Sequence, residues 1–274
     1  MLGASMVEIM RKYRVLTVED TLELPVRSLR KLGYNIQPMK VRSAITETGN
    51  ELAAEEGIRT SLRLGDSCLI VGEVRSGEAK ALYEAMRVGA LANVVAGTIH
   101  GANPYGVFDR VVNDLGVPRT SFKATDVILV ANPIKSPDSL RKWRRITQIT
   151  EVRKHWEDDP IKEKGFVDLM RYNPKTDQLE PTDELINGNS DVLKDIASNV
   201  KDWVGDWDAL WKNIILRAKI KEKLVNLAIK LRRNDLLEAQ FVIKANDEFH
   251  TICNDVNSLV ISYRGEKIKG IFIS

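Results

Sequence analysis

The first half of the chain alternates short apolar runs with longer stretches of helical periodicity. The apolar runs are rich in β-branched residues and too short for helices, which is typical of strands buried on both faces of a sheet. They lie at 15–18, 68–71, 94–99 and 127–131. Helices are predicted between them, over 51–64, 77–88 and 105–115. This order of elements predicts an α/β fold with a mostly parallel sheet flanked by helices.

The pattern changes near 132–137, where two prolines and several polar residues indicate a boundary. Beyond it, the runs at 145–152 and 166–172 are predicted to be strands. The sequence Asn-Pro-Lys-Thr-Asp at 173–177 supplies turn residues, so we expect a small antiparallel hairpin there. We therefore divide the chain into two predicted domains, which cover 1–135 and 136–274.

The end of the chain is predicted to be mainly helical. From 206 to 264 there is neither glycine nor proline, and apolar residues recur at helical spacing. Trp203, Trp207 and Trp211 form a stripe that could dock a partner, although aromatic residues at this spacing more often face a core. The final segment, 258–274, alternates apolar and polar residues and is expected to resemble a β-hairpin.

Composition indicates an ordinary globular protein. Hydrophobic residues make up 43% of the 274 positions and charged residues 29%, which excludes disordered and fibrous classes. The net charge of +3 lacks the concentrated basic footprint of a nucleic-acid binder, so we expect no nucleic acid as a partner. Cys68 and Cys253 form no CxxC motif, which disfavours a zinc site or a disulfide framework and favours a reducing compartment.

Charged groups follow three of the four apolar runs. Glu19 comes after the first run, Glu73 and Arg75 after the second, and His100 after the third. Ligands bind beyond the carboxyl ends of parallel strands, so we expect these groups along one edge. A carboxylate there can hold hydrated Mg²⁺ or orient water, while Arg and His can stabilise charge on a transferring phosphoryl group. Taken singly, each residue has a structural explanation, such as a helix cap, so the prediction depends on their joint occurrence.

Three segments resemble successive motifs of one family. They are VLTVEDTLELP at 15–25, GIRTSLRLGDSCLIVGEVRSGEA at 57–79 and VVAGTIHG at 94–101. In order and spacing they are similar to the aspartate box, the glutamate-containing Walker B motif and the histidine box of the type II/IV secretion and pilus motor ATPases, in particular the archaeal branch. The resemblance continues to about Asn257 and implies an incomplete RecA-like P-loop NTPase core, followed by the hairpin and the helical region.

The resemblance also implies ATP and Mg²⁺ as cofactors and assigns roles to individual residues. Glu73 would lie near the γ-phosphate and hold Mg²⁺ through water, and Glu19 would position or activate the attacking water. Which of the two is the principal base stays open. His100 would contact the phosphate region, and Arg75 would hold the Walker B turn or balance charge across it.

Three further arginines match basic positions between the first two motifs: Arg42, Arg59 and Arg63. In the family's hexamers such arginines can point towards a neighbouring subunit's nucleotide. For Arg59 and Arg63 the alternative is a solvated helix face that carries salt bridges. The sequence favours neither interpretation.

A motor of this family needs a GxxxxGK[ST] loop, whose backbone N–H groups and lysine hold the phosphates. The 274 residues contain no Gly-Lys pair. The resemblance places that loop just ahead of Leu2, so we expect an amino-terminal truncation and weak ATP binding. It also places a missing strand between 94–99 and 127–131. These two strands are therefore expected either to pair directly or to leave the fold unstable.

The function implied is that of the carboxyl-terminal portion of a hexameric ATPase that couples ATP hydrolysis to filament assembly, as in a pilus or archaellum, or to protein secretion. Such a protein is cytoplasmic, peripheral to the inner face of the cell membrane, and works with a polytopic membrane platform protein. The alternative is a non-hydrolysing assembly or regulatory subunit of such a machine. A DNA-translocating motor is disfavoured by the near-neutral charge.

Overall fold

The computed structural model describes residues 1–42, 53–64, 68–88, 94–135 and 142–263. The strands are β1 Arg14–Glu19, β2 Asn35–Lys40, β3 Cys68–Val71, β4 Val95–Gly97, β5 Val127–Lys135, β6 Lys142–Val152, β7 Phe166–Asn173 and β8 Gln178–Pro181. The α-helices are α1 Leu2–Ser5, α2 Val26–Lys31, α3 Ala54–Leu62, α4 Glu78–Val88, α5 Pro104–Asp109, α6 Arg119–Phe122, α7 Asp183–Ile186, α8 Asp191–Ser198, α9 Trp207–Leu231 and α10 Ala239–Tyr263. A π-helical turn, Arg110–Asp114, continues α5.

The first sheet is parallel and has the order β2-β1-β3-β4. Strand β3 is buried along its whole length and β1 along all but its first residue, as the β-branched runs predict. The predicted strands at 15–18 and 68–71 are confirmed, and the one predicted at 94–99 is present over Val95–Gly97. Strand β2 carries no such signal, because it is polar and contains Pro38. A proline is tolerated at this position because β2 is the edge strand.

The fourth predicted strand, at 127–131, does not join the parallel sheet. Strand β5 pairs antiparallel with β6, so the prediction was wrong on this point. Its burial alternates, with Ile128 and Val130 buried and Leu129 exposed, as in a strand that has one solvated face. Strand β4 pairs with β3 and not with β5, so of the two expected alternatives the direct pairing of 94–99 with 127–131 does not occur in this structure.

The second sheet is antiparallel and has the order β5-β6-β7-β8. The predicted strands and the hairpin between β7 and β8 are confirmed. Asp177 closes the hairpin turn with a positive φ of 53°. Its carboxylate accepts hydrogen bonds of 2.9 and 2.8 Å from Arg145 and one of 2.8 Å from Tyr172, so it fastens the turn to β6. The division into two domains at 135 stays a prediction.

The end of the described chain is helical, as predicted. Helix α10 runs to Tyr263, so the hairpin expected over 258–274 is wrong for its first six residues, while 264–274 lie outside the described residues. A helix already formed extends at little further cost, which favours helix over a new strand here. Trp207 and Trp211 stack with ring centroids 6.2 Å apart and are half-buried. Within the described ranges, none of the helices combines the length and the apolarity needed to cross a bilayer.

An aromatic cluster joins the helices of the parallel sheet to the loop after β6. Trp156 is fully buried and meets Phe108 edge to face at 5.6 Å, and Phe108 meets Phe122 in the same way at 5.1 Å. Such geometry suits the ring quadrupoles. A Cβ atom at Gly165 would lie 2.4 Å from Trp156 Cδ1, so glycine is required where the chain passes this ring.

We expect Trp156→Ala to lower the free energy of unfolding by about 3–5 kcal/mol, because it removes a fully buried aromatic side chain. The matched control is Trp143→Ala, since Trp143 is 39% exposed on β6 and should cost less than about 1 kcal/mol. Urea denaturation followed by circular dichroism measures both values. Equal losses for the two variants would contradict the assignment of Trp156 to the core.

Candidate active site

Three neighbouring strands deliver the candidate residues to one edge of the parallel sheet. Glu19 is the last residue of β1, Glu73 follows the end of β3, and His100 follows the end of β4. Because β1 pairs with β3 and β3 pairs with β4 in parallel, their carboxyl ends lie side by side. The expected convergence of these residues at one sheet edge is what the structure shows.

Only one of the two carboxylate oxygens of Glu19 has hydrogen-bond partners among the described residues. Glu19 is 3% exposed, and its Oε1 accepts hydrogen bonds of 2.9 Å from the backbone N–H groups of Glu23 and Leu24. Its Oε2 is buried and has no hydrogen-bond partner among the described residues. An unpaired buried carboxylate oxygen is costly, so this atom is suited to a cation or an ordered water. A Cβ atom at Gly72 would lie 2.9 Å from Glu19 Cγ, so glycine is needed beside it.

The carboxylate of Glu73 lies between two positively charged or protonatable groups. Arg75 forms an ion pair with Oε2, and His100 Nε2 lies 3.1 Å from Oε1. The hydrogen bond from Arg75 is the main cause that holds the pKa of Glu73 below its usual value, and His100 contributes in the same direction. Arg75 also lies 3.6 Å from the Asp20 carboxylate. Arg75 therefore balances carboxylates that follow two different strands.

A second carboxylate fixes the turn that carries these groups. Glu78, at the start of α4, accepts hydrogen bonds from the backbone N–H groups of Arg75 and Ser76 and from the Ser76 hydroxyl, at 2.5, 2.9 and 2.6 Å. Burial alone would raise the pKa of Glu78, but these hydrogen bonds lower it. The sequence analysis missed Glu78. Its signal is an acidic residue in the first turn of a predicted helix.

Two clefts open at this edge, and the side chains of Asp20, Glu73 and Arg75 line both of them. The larger has a volume of about 530 Å³ and is lined by Glu19, Gly72 and Thr98 and by the amino-terminal residues 1–4. The smaller has a volume of about 210 Å³ and is lined by Arg42 and by the first residues of α3 and α4. Glu19, whose buried Oε2 has no hydrogen-bond partner among the described residues, lines the larger cleft.

The remaining predicted arginines differ in how close they lie to the Glu73 cluster. Arg42 lines the smaller cleft together with Asp20, Glu73 and Arg75. Arg59 is exposed on α3, where it pairs with Glu55 at 2.9 Å and lies 3.9 Å from Glu84, which agrees with the salt-bridged helix face. Arg63 is exposed at the end of the same helix. Arg59 and Arg63 therefore add no charge to this edge within the single chain.

The model of the type II/IV secretion system protein family matches residues 2–157, which is more than half of the chain. The chain belongs to this family. The match includes β1, β3 and β4 and the polar groups that follow them. The family resemblance that the three motifs indicated is therefore confirmed.

Relatives of this secretion-family chain come from Methanocaldococcus jannaschii. The uncharacterized protein MJ1287 is 28% identical over 188 residues, which are 68% of this chain and 63% of that protein. The uncharacterized protein MJ0900 is 26% identical over 170 residues, which are 61% of this chain and 29% of that protein. The chain thus spans less than two thirds of the length of either relative.

Two solved structures are similar at low identity. The VirB11 ATPase of the Brucella suis type IV secretion system, in complex with sulphate, is 20% identical, with 58% of this chain and 45% of that chain covered. The Legionella pneumophila ATPase DotB is 15% identical, with 57% and 41% covered. The TM-score is 0.39 for both.

The residues present are compatible with a hydrated divalent cation. Across the described ranges, no group of three or more His, Cys, Asp or Glu side chains is arranged to hold a metal ion directly. Mg²⁺ commonly keeps several waters and takes only one or two carboxylates from the protein. The unpaired oxygen of Glu19 and the ionised carboxylate of Glu73 suit such a site in this secretion-family chain.

We expect Arg75→Met to raise the pKa of Glu73 towards the ordinary value of 4.5, because it removes the largest cause of the downward shift. Titration of the side-chain carboxyl carbon by NMR measures this. His100→Asn should raise the pKa less. Since the folded pKa lies below the unfolded one, the ion pair stabilises the fold above pH 4.5, and this stabilisation is lost as the pH falls through the folded pKa.

The matched control is Arg233→Met, which removes an exposed arginine that pairs with Asp235 away from the site. The pKa of Glu73 should not change in this variant. An unchanged pKa in Arg75→Met would show that Arg75 does not govern the ionisation of Glu73.

Proposed function

We propose that this chain is part of a ring-forming ATPase that couples ATP hydrolysis to secretion or to assembly of a pilus-like filament. The observation that carries the proposal is the group of Glu19, Glu73, Arg75 and His100 at the carboxyl edge of a parallel sheet, where α/β proteins bind ligands. We infer from membership of the secretion family that the reaction at this group is in-line attack of water on the γ-phosphate.

The electrostatics of the edge favour a cation between the protein and the phosphates. Glu19, Asp20 and Glu73 are carboxylates, and Arg75 is the permanent cation among them. Negative carboxylates repel a triphosphate at short range, and a divalent cation between them reverses the sign of that interaction. When bound, Mg²⁺ neutralises charge that develops on the phosphoryl oxygens. Glu73 and Glu19 are the residues that would hold it, through water.

We assign different roles to the two glutamates from their surroundings. Arg75 and His100 keep Glu73 ionised, which suits it to hold a hydrated cation and makes it a weak proton acceptor. One oxygen of Glu19 is fixed by two backbone N–H groups while the other is unpaired, so that second oxygen can orient a water. His100 is exposed and can reach a phosphate without breaking any buried contact.

The assembly and its surroundings are part of the same proposal. A hexamer would bring Arg42, Arg59 or Arg63 of one subunit towards its neighbour's nucleotide, as arginine fingers do in other NTPases. A cytoplasmic ring at the inner face of the membrane would act on a polytopic platform protein. Two domains, 1–135 and 136–274, would rotate with respect to each other during the ATP cycle.

We expect the 274-residue chain to show no micromolar affinity for Mg-ATP in isothermal titration calorimetry, because these residues contain no GxxxxGK[ST] loop to hold the phosphates. Translating the DNA upstream of Met1 tests for the loop directly. A protein that includes the loop should bind Mg-ATP and hydrolyse it. Micromolar affinity of the 274-residue chain would contradict this account of phosphate binding.

In a protein that carries the loop, Glu73→Gln should lower kcat by about 100-fold or more, because the cation loses a charged anchor in the transition state. The control is Glu238→Gln, which changes an exposed glutamate remote from the site and should leave kcat unchanged. Equal activity of Glu73→Gln and Glu238→Gln would exclude the assigned role. If the natural protein lacks the phosphate-binding loop and still joins a secretion or pilus assembly, the alternative function as a non-hydrolysing subunit would be favoured.

A further inference from the structure

Helix α9 has one face on which aliphatic and cationic side chains alternate. At 100° per residue, seven exposed side chains fall within about 120° of one another. We call this set the outer face of α9; it consists of Lys212, Leu216, Lys219, Lys223, Leu227, Lys230 and Leu231. The opposite face packs against the protein through Leu210 and Ala228, which are buried.

The lysines of the outer face differ from Lys221, on the opposite side of α9, in their ion pairing. Lys221 forms a 2.7 Å ion pair with Glu8. Within the part of the chain that the structure describes, Lys212, Lys219, Lys223 and Lys230 form no ion pair. No ion pair among the described residues therefore neutralises their charge, unlike that of Arg59 on α3.

The aliphatic residues of this face are unusually accessible. Their exposed fractions run from 37% for Leu227 to 56% for Leu231. Single exposed aliphatic residues are common on protein surfaces, but three on one helical face beside four lysines form a continuous amphipathic strip. Burial of this strip would be favourable, and any partner that buries it must also satisfy four positive charges.

The need to bury aliphatic side chains and also to satisfy four positive charges distinguishes between possible partners of this face. A second copy of the same face would bring eight lysines together, and the repulsion disfavours a symmetric dimer. The surface of an anionic bilayer meets both needs, because lysine stems lie along apolar surface while their ammonium groups reach the headgroups. Each lysine near such a surface strengthens binding about fivefold.

We propose that the outer face of α9 lies on the surface of an anionic lipid bilayer, with Leu216, Leu227 and Leu231 at the headgroup boundary and the four lysines on the lipid phosphates. This inference deepens the membrane-peripheral placement proposed above and rests on that part of it. It does not depend on ATP hydrolysis, so nucleotide-free protein can test it separately.

The test measures sedimentation of the nucleotide-free chain with vesicles of phosphatidylglycerol and phosphatidylcholine, and with phosphatidylcholine vesicles alone. We expect binding to the anionic vesicles only, weakened by salt. Changing Lys212, Lys219, Lys223 and Lys230 together to Ser should lower the binding constant at least about tenfold. Leu227→Ser with Leu231→Ser should lower it about tenfold through lost apolar burial.

The matched control changes four exposed lysines outside α9, Lys164, Lys175, Lys194 and Lys201, to Ser, which gives the same change in net charge. This variant should bind as the unaltered chain does, and circular dichroism should show that all variants are folded. Equal weakening by the two quadruple variants would overturn the role of α9 while leaving membrane placement intact. No binding of the unaltered chain to anionic vesicles would overturn the proposal itself and leave the ATPase proposal untouched.

Discussion

The candidate site depends on the parallel pairing of β3 with β1 on one side and β4 on the other. Parallel pairing aligns the carboxyl ends of these strands, so that Glu19, Glu73 and His100 meet although they lie far apart in sequence. The ion pair between Glu73 and Arg75 depends in turn on the tight turn that Glu78 holds with three hydrogen bonds. A shift of β3 by one residue would exchange its two faces and separate the charged groups.

Burial gives the two glutamates different properties. Glu19 is enclosed by the backbone of Glu23 and Leu24 and by Gly72. One of its carboxylate oxygens is buried without a hydrogen-bond partner among the described residues, which lowers the free energy of unfolding. Glu73 is more exposed and is compensated by Arg75. An uncompensated buried oxygen in a folded protein indicates a binding partner more strongly than a surface carboxylate does. This contrast supports a site at which Glu19 and Glu73 share one hydrated cation.

The sequence predicts the placement of these residues at one sheet edge, because the signals for it are local. Runs of β-branched residues identify β1 and β3, and the charged residues directly after them must lie at the sheet edge. Prediction from sequence fails where a structural feature depends on pairing between distant segments or on the surroundings of a residue. Strand β5 has a strand-like sequence, but pairing with β6 decides which sheet it joins, and β2 is polar because it is an edge strand. Glu78 contributes to the site only because it fixes the turn that carries Arg75. The Arg59 pair with Glu55 was visible in the sequence as an i, i+4 spacing.

The most direct test of the shared cation site is paramagnetic broadening by Mn²⁺, followed through the backbone amide signals of the labelled chain. The account predicts that signals of residues 19–24 and 72–75 broaden at lower Mn²⁺ concentration than those of the acidic run Glu157, Asp158 and Asp159, which lies outside the site. It also predicts that Glu19→Gln with Glu73→Gln removes this preference. Broadening of 157–159 first, or at the same concentration as the sheet edge, would contradict it.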